Sequence, residues 1–444
     1  MKADIRIAWI LARGSERREW YRILLTALGA LAATDFALAA VAIAAVPGQV
    51  SIPYGHGLLD QPGQRAGVVL TLVLLLLPVV GFLGQCARVG AVHRHRRMAA
   101  MRLTGATPAQ VRRIAAVESA FPSLPGAVAG VAVFAVVLAS TGHTPYPAAW
   151  AGFAAVVLAV PVAAALVSVF ALRHVVVSPL DQVRRTVPDP GRRTLFGFLL
   201  GSVLVSAAAM LVTLPADVRS AAFPLLVLAL VFATGAGAIW AAGASAALLG
   251  RRLTLRARRP AVLIAAGRLA HDPWAAARTH AALLLVTVVG VGFVGVRAVL
   301  LADLRAKKDV LASDMGFYTT GIGLAGSAVL IALAISLCGL AVGTAESLAT
   351  RRRGLAAQAA AGVPHGVLAR AALLETALPL APALLLAGVG GTVVYLAYAA
   401  IVGGPVSLLP LLLPVGVYAA CLLAAATSLP LLRRAVHPSE LRFT

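Results

Sequence analysis

Residues 94–125 read RHRRMAAMRLTGATPAQVRRIAAVESAFPSLP, and residues 351–382, at an offset of 257, read RRRGLAAQAAAGVPHGVLARAALLETALPLAP. Glycine, arginine, glutamate and proline coincide under this offset. The matched pairs are Gly105/Gly362, Arg113/Arg370, Glu118/Glu375, Pro122/Pro379 and Pro125/Pro382. Because charged residues and prolines are rare inside hydrophobic stretches, the match indicates an internal duplication.

Each copy has the same order of physical features. An arginine cluster ends one apolar span, and a short link leads to the glycine. A small amphipathic helix follows, then a carboxylate at the membrane edge and an apolar span that contains two prolines. Thr107 is predicted to cap this helix and Pro108 to be its first residue, where the missing N–H of proline has no cost. Val363 and Pro364 repeat the proline without a capping side chain.

The composition predicts an all-α integral membrane protein. The chain is 60% hydrophobic and only 12% charged, with a mean hydropathy of +0.92, so it lacks the charge that a soluble surface needs. Several apolar runs exceed the ~20 residues that cross a bilayer. We predict ten spans, at residues 21–46, 66–88, 115–140, 149–173, 194–214, 222–249, 277–302, 317–345, 372–401 and 407–431.

The positive charge predicts how these spans are oriented. Of the 38 lysines and arginines, 32 lie in the termini and the alternate loops that share one side, and 5 lie in the loops on the other side. The positive-inside rule therefore places both termini and both matched stretches in the cytoplasm. The net charge of +22 then reflects topology and contact with anionic lipids, and it does not predict a nucleic-acid partner.

The duplication extends beyond the matched stretches and divides the chain into three parts. Residues 3–12 form an amphipathic segment typical of an interfacial helix, and residues 261–269 are its counterpart. We predict a first four-span repeat (1–185), a two-span insert (186–258) and a second four-span repeat (259–444). Both repeats start on the same side, so they are predicted to be parallel.

With its spans laid out, the chain resembles the FtsX-like (MacB-type) permease subunits of ABC transporters. In that family a basic helix end runs into the phrase R-x-x-E-[IL]-x-x-[LM]-R-A-[LI]-G-[AM]-[ST]. Residues 97–107, RMAAMRLTGAT, match this phrase except for its acid, and residues 353–363, RGLAAQAAAGV, are a degenerate second copy. The arrangement resembles the ten-span BceB-like branch, but the loops at 47–65 and 303–316 are too short to hold that family's large extracytoplasmic domain.

The resemblance implies that the segments around the two glycines are coupling helices that dock on an ATP-hydrolysing subunit. It also implies the partners: an ABC-type ATPase homodimer, membrane lipids and, in some branches, an envelope lipoprotein. The predicted coupling residues are Leu103, Gly105, Ala106, Thr107, Pro108, Gln110 and Val111 in the first copy and Gly362, Val363, Pro364, His365, Val367 and Leu368 in the second.

The chain itself is predicted to have no catalytic site, no metal site and no cofactor. A P-loop needs a lysine after glycine, and the only lysines are Lys2, Lys307 and Lys308, none of which follows glycine. ATP and Mg²⁺ would therefore bind to a separate subunit. The nine histidines do not have metal-ligand spacing, and the three cysteines lie singly in apolar spans.

Four ionisable residues are predicted within or beside the spans. Asp35 lies near the middle of the first span and Arg297 towards the outer end of the seventh. They either pair, or Arg297 extends to the outer surface while Asp35 lines a small wet pocket. Glu118 and Glu375 are predicted to bond the arginine clusters and to fix the point at which each coupling helix meets the membrane.

Three functions are compatible with these features. The first is the permease subunit of an ATP-driven exporter of an amphipathic, lipid-like or peptide antibiotic compound, in a bacterial cytoplasmic membrane. The second is ATP-driven mechanotransmission to an envelope partner with no substrate crossing. The third is a secondary transporter that uses Asp35 as its proton carrier.

Overall fold

The computed structural model describes residues 17–52, 56–87, 100–101, 103–142, 144–177, 216–311 and 313–436. The regular structure in these ranges is helical, with no strand, as the composition predicts. The chain forms two compact units, residues 1–186 with 316–346 and residues 187–315 with 347–444. We describe each unit by itself.

The first unit contains four long helices and most of a fifth. These are α1 (Arg17–Ala44), α2 (Pro62–Cys86), α3 (Pro108–Thr141), α4 (Pro147–Val177) and residues 316–346 of α8 (Met315–Thr350).

The second unit contains the remaining helices and the last turn of α8. These helices are α5 (Ala216–Arg256), α6 (Pro260–His271), α7 (Pro273–Ala306), α9 (Arg352–Ala360), α10 (His365–Val402), α11 (Leu413–Ala426) and α12 (Leu429–Ala435).

Nine segments of the described residues are long and apolar enough to cross a membrane. They coincide with nine of the ten predicted spans, and the predicted span at residues 194–214 lies outside the described residues. The nine are Trp20–Ala44, Arg65–Cys86, Ala109–Ser140, Pro147–Leu166, Leu230–Arg256, Pro273–Ala306, Met315–Thr350, His365–Ala400 and Leu409–Arg433. The predicted N-terminal interfacial helix, at residues 3–12, also lies outside the described residues.

Small residues let the helices of the first unit approach closely. Gly126 and Gly130 of α3 lie one turn apart, and a Cβ on Gly126 would overlap the backbone carbonyl oxygen of Ala27 in α1. A Cβ on Gly130 would lie 2.9 Å from the side chain of Thr34. Because hydrophobicity drives little association between helices in lipid, such contacts between backbones supply packing energy instead.

The second unit has a comparable contact between α7 and α10. A Cβ on Gly391 of α10 would lie 2.6 Å from the carbonyl oxygen of Val288 in α7. Tyr395 is buried in the same interface, against Val299. Its hydroxyl donates to the carbonyl oxygen of Ser407 at 3.2 Å and accepts from the N–H of that residue. This pair of bonds ties the loop after α10 to the helix.

A buried arginine fixes the loop between α1 and α2. The guanidinium of Arg65 donates to the carbonyl oxygens of Leu59 at 2.9 Å and of Asp60 at 3.2 Å, and also to that of Gly48. The carboxylate of Asp60 accepts from the N–H of Ile52 at 2.9 Å. The loop is therefore held by its own backbone and by the first turn of α2.

The two units do not follow the predicted borders between repeats. Helix α5, which falls entirely within the predicted insert at 186–258, packs within the second unit. Residues 316–346 of the predicted second repeat group with the first unit. The division into two repeats and an insert remains a prediction from the sequence.

The close approach of α1 and α3 predicts a large difference between two glycine substitutions. Gly126→Ala would force the two helices apart, and overpacking of this kind costs about 1–3 kcal/mol. Gly67→Ala is the control, because a Cβ at Gly67 of α2 meets nothing within 4 Å. Thermal unfolding in detergent should show a lower Tm for Gly126→Ala and an unchanged or higher Tm for Gly67→Ala. Equal Tm values would contradict this packing.

Candidate functional site

The second matched stretch folds as a short helix, a tight turn and a long helix. Helix α9 ends at Ala360, and Gly362 follows with a φ of 89°, in the left-handed region that favours glycine. The N–H of Val363 donates to the carbonyl oxygen of Gln358 at 3.0 Å. This bond closes the end of α9 in the manner of a Schellman cap.

The first matched stretch contains the same turn. Gly105 has a φ of 100°, and the N–H of Ala106 donates to the carbonyl oxygen of Met101 at 2.9 Å. Both the left-handed glycine and the capping bond thus recur at the offset of 257 found in the sequence. A Cβ on either glycine would meet nothing within 4 Å, so backbone conformation, and not space, accounts for glycine at both turns.

The helix after each glycine begins differently in the two copies. In the first, Thr107 caps α3: the N–H of Gln110 donates to its hydroxyl at 3.3 Å, and its own N–H donates to the side-chain oxygen of Gln110 at 2.8 Å. This capping box confirms the predicted cap, with Pro108 as the first helical residue. In the second, Pro364 is the cap and not the first residue, and no side chain completes the cap.

The short amphipathic helices predicted around Gly105–Val111 and Gly362–Leu368 are not separate elements. In each copy the helix that starts after the glycine continues through the glutamate and both prolines, giving α3 with 34 residues and α10 with 38. The sequence between the cap and the span contains no residue that ends a helix. The separate short helix of the second copy, α9, precedes its glycine.

One side chain fixes each turn in its unit. Val111 and Leu368, which are equivalent under the offset, have relative exposures of 0% and 1%. Leu368 packs in a cluster with Leu348, Leu355 and Leu432.

The other predicted coupling residues lie nearer the surface. Among those whose side chains the structure describes, the exposed ones are Leu103, Gly105, Thr107, Gly362, Pro364 and His365, and the partly exposed ones are Ala106, Gln110, Val363 and Val367. Each turn therefore combines an exposed surface with a buried attachment.

Glu375 joins three elements of the second unit. Its carboxylate accepts from Arg268 of α6 at 2.5 Å and from Arg351, the residue before α9, at 2.8 Å. Glu375 lies on α10 itself, and its side chain is only 16% exposed. Two guanidiniums therefore lie against this partly buried carboxylate and compensate its charge.

Glu118 makes the corresponding contact in the first unit with a different partner. Its carboxylate lies 3.4 Å from the guanidinium of Arg22 in α1, and both side chains are about 5% exposed. Each glutamate is thus bonded to arginine a few turns after its glycine turn. Arg351 belongs to the second arginine cluster, which was predicted to bond Glu375, whereas the sequence did not single out Arg22 or Arg268. The one available signal for Arg268 was a basic residue in the amphipathic segment that precedes a span.

Asp35 and Arg297 lie in different units. Asp35 belongs to α1, and within the part of the chain that the structure describes its Oδ1 atom is buried without a hydrogen-bond partner. Arg297 is exposed on the surface of α7. The pairing of these two residues remains a prediction.

Comparison with known proteins bears on the first turn. Residues 68–179 match the family model described as FtsX-like permease C-terminal. The matched region includes most of α2, the turn at Gly105, all of α3 and all of α4, and it makes up about a quarter of the chain. No curated protein matches the chain.

The match supports the resemblance to FtsX-like permeases that the motif at residues 97–107 indicates. Together with the nine candidate spans, it supports a coarse class for this chain, a multi-pass transmembrane permease of the ABC-transporter type. Permeases of this family are membrane subunits that work with an ABC ATPase. The second turn, at Gly362, lies outside the matched residues, and its likeness to the first rests on the offset and on the shared backbone geometry.

The left-handed turn predicts opposite effects for two neighbouring glycines. Gly362→Ala would place an L side chain at a φ of 89°, at a cost of about 1–2 kcal/mol. Gly366→Ala is the control, because Gly366 lies in the first turn of α10, equally open to solvent and with no positive φ, so alanine is tolerated there and is favoured by at most about 1 kcal/mol. Exchange of the backbone amides of residues 361–363 should be roughly tenfold faster in Gly362→Ala and no faster in Gly366→Ala. The same exchange rate in both variants would exclude this turn.

Removal of the carboxylate that joins α6 to α10 should destabilise the second unit. Glu375→Gln leaves Arg268 and Arg351 uncompensated, with an expected loss of about 1–3 kcal/mol in the free energy of unfolding. Asp303→Asn is the control, since its pair with Lys307 joins residues one helical turn apart and is more exposed, with the lysine side chain 60% and the aspartate side chain 26% exposed, so its loss should cost about 0.5 kcal/mol or less. Denaturant unfolding of both variants measures the difference. A smaller effect for Glu375→Gln than for Asp303→Asn would contradict the assigned bridge.

Proposed function

We propose that this chain is the membrane subunit of an ABC exporter in a bacterial cytoplasmic membrane, and that its two glycine turns bind the ATPase. The observation that carries this proposal is the recurrence, at one offset, of an exposed left-handed turn followed by a buried apolar residue, a helix start and an arginine-bonded glutamate. Packing within this chain alone does not require the two turns to be exposed, so their exposure is consistent with a surface that binds a partner. Two such turns fit an ATPase homodimer that offers one groove to each.

The continuity of the turn with the span gives a mechanism. At about 1.5 Å per residue, α10 is about 57 Å long, whereas the hydrocarbon layer is about 30 Å thick. The helix is therefore long enough to reach from a cytoplasmic partner through the membrane. A displacement of the partner at Gly362 would tilt the whole of α10, since no break separates the turn from the span.

ATP would bind and be hydrolysed on the partner, because the sequence contains no P-loop. The cargo we propose is an amphipathic or lipid-like compound, such as a peptide antibiotic. Two observations support this choice of cargo. One is the family resemblance, and the other is the set of long apolar helices, along which a lipid-like compound could move within the bilayer. Mg²⁺ would accompany ATP at the partner's site.

Mechanotransmission to an envelope partner, for example a lipoprotein, is the second candidate. It needs protein on the outer side for the partner to hold. The described loops at the predicted outer ends of the spans are short and bonded to their own helices, as at Arg65 and Tyr395. This favours transport. Proton-coupled transport has one supporting observation, the unpartnered carboxylate oxygen of Asp35, and it predicts activity of the purified chain alone.

The proposed docking surface is tested by charge placed at an exposed apolar residue. Leu103→Glu, at a position 79% exposed beside the first turn, should weaken binding of the ATPase at least tenfold. Leu408→Glu is the control, at an exposed leucine (74%) beyond the predicted outer end of α10. The measurement is retention of a P-loop ATPase during purification from native membranes, with ATP hydrolysis assayed in the purified complex. Equal retention in the two variants, or transport by the chain with no ATPase present, would refute the proposal.

A further inference from the structure

The last turns of α5 and the whole of α6 form a helical hairpin, which we call the basic hairpin (residues 251–271). A Cβ on Gly250 of α5 would lie 2.6 Å from the backbone nitrogen of Ala270, near the end of α6. Helix α6 therefore folds back along the end of α5 instead of leading away from it. A three-residue link, residues 257–259, connects the two helices.

One face of α6 is occupied by the protein itself. Ala261, Ala265, Ala266 and Leu269 are buried in the second unit. Arg268 is held by Glu375. The hairpin is thus fixed in position, and its opposite side is open.

The open side is strongly basic. Five arginines are exposed along the end of α5 and the link: Arg251, Arg252, Arg256, Arg258 and Arg259. None of the five has an ion-pair partner among the residues that the structure describes. The sequence contains no acidic residue between Asp217 and Asp272.

Exposed apolar side chains accompany this charge. Leu255, between the arginines, is 88% exposed, and Leu263 on α6 is 47% exposed. A surface that combines arginine with isolated leucines is typical of segments that lie at the boundary between lipid headgroups and acyl chains.

The chain fixes the height of the hairpin relative to the membrane. The candidate span of α5 ends at Arg256 and the next begins at Pro273, so both ends of the hairpin meet the same membrane face. From Gly250 to Arg256 the chain rises about 9 Å along α5, and the three-residue link to Arg259 adds at most about 10 Å. A headgroup layer of about 5–8 Å, a Debye length of about 8 Å and the length of an arginine side chain together cover that distance. All five guanidiniums therefore lie within reach of lipid phosphates.

We propose that the basic hairpin is a binding site for anionic phospholipid headgroups, with the arginines bonding phosphate and with Leu255 and Leu263 in the adjacent acyl layer. Clusters of four to eight basic residues next to a span favour anionic lipids by about 1 kcal/mol for each residue. The positive charge of the five arginines selects anionic over zwitterionic lipid headgroups. The inference concerns the chain alone and does not depend on its pairing with an ATPase.

The test uses the full chain in nanodiscs of phosphatidylcholine with a minor fraction of phosphatidylglycerol, each lipid in turn carrying a photoreactive label. In the unaltered protein, labelled phosphatidylglycerol should cross-link to residues 251–271 several times more than its share of the bilayer predicts. Labelled phosphatidylcholine should not be enriched there, and the enrichment should fall as salt is raised, since exposed charges are screened. Inorganic phosphate added to phosphatidylcholine nanodiscs should not change the stability of the hairpin.

The decisive comparison is between two double variants that remove the same charge. Arg258→Gln with Arg259→Gln should reduce the enrichment severalfold, towards the share of phosphatidylglycerol in the bilayer, because each arginine contributes about 1 kcal/mol. Arg305→Gln with Lys308→Gln removes two exposed charges at the other end of α7 and should leave the enrichment unchanged. Equal enrichment in all three proteins would overturn the proposal. So would a hairpin double variant that loses ATPase binding while its lipid enrichment is intact, because the surface would then serve a protein.

Discussion

A carboxylate close to the membrane edge must be compensated, and that requirement organises the second unit. Glu375 meets it with Arg268 and Arg351, which belong to segments far apart in the sequence. The bridge therefore joins α6, the start of α9 and α10 at one level. Glu118 meets the same requirement with Arg22 in the first unit. Because either glutamate would be costly without its arginine, these bonds determine where each long helix stands relative to the segments that carry the arginines.

The sequence was sufficient for the features that depend on local chemistry. Helical class and nine of the spans follow from apolar length, and the cap at Thr107 follows from the side chains that complete it. The turn at Gly362 could be located because the 257-residue offset pairs it with Gly105, and the shared positive φ supplies the physical reason for glycine at both places. Periodic hydrophobicity carries little information about where an all-apolar helix begins, so the unbroken passage from Pro364 into α10 could not be seen in advance.

What the sequence could not supply depends on tertiary packing. Among the described residues Glu118 bonds Arg22 of α1, whereas Glu375 bonds Arg268 of α6 and Arg351, although the two glutamates coincide under the offset. Several nearby arginines would have satisfied the same pattern. The fold-back of α6 rests on Gly250, a single glycine among the forty-one of this chain. The grouping of residues 316–346 with the first unit likewise has no local signal, since every span of this chain is apolar.

We propose that the two turns of this chain hold an ATPase from one side of the membrane. Photoreactive residues placed at Thr107 and at His365, both exposed beside their turns, test it directly, with Val406 beyond the predicted outer end of α10 as the reference. We expect cross-links from Thr107 and His365 to the nucleotide-binding subunit and none from Val406. Cross-links from Val406, or none from either turn in a complex that hydrolyses ATP, would contradict it.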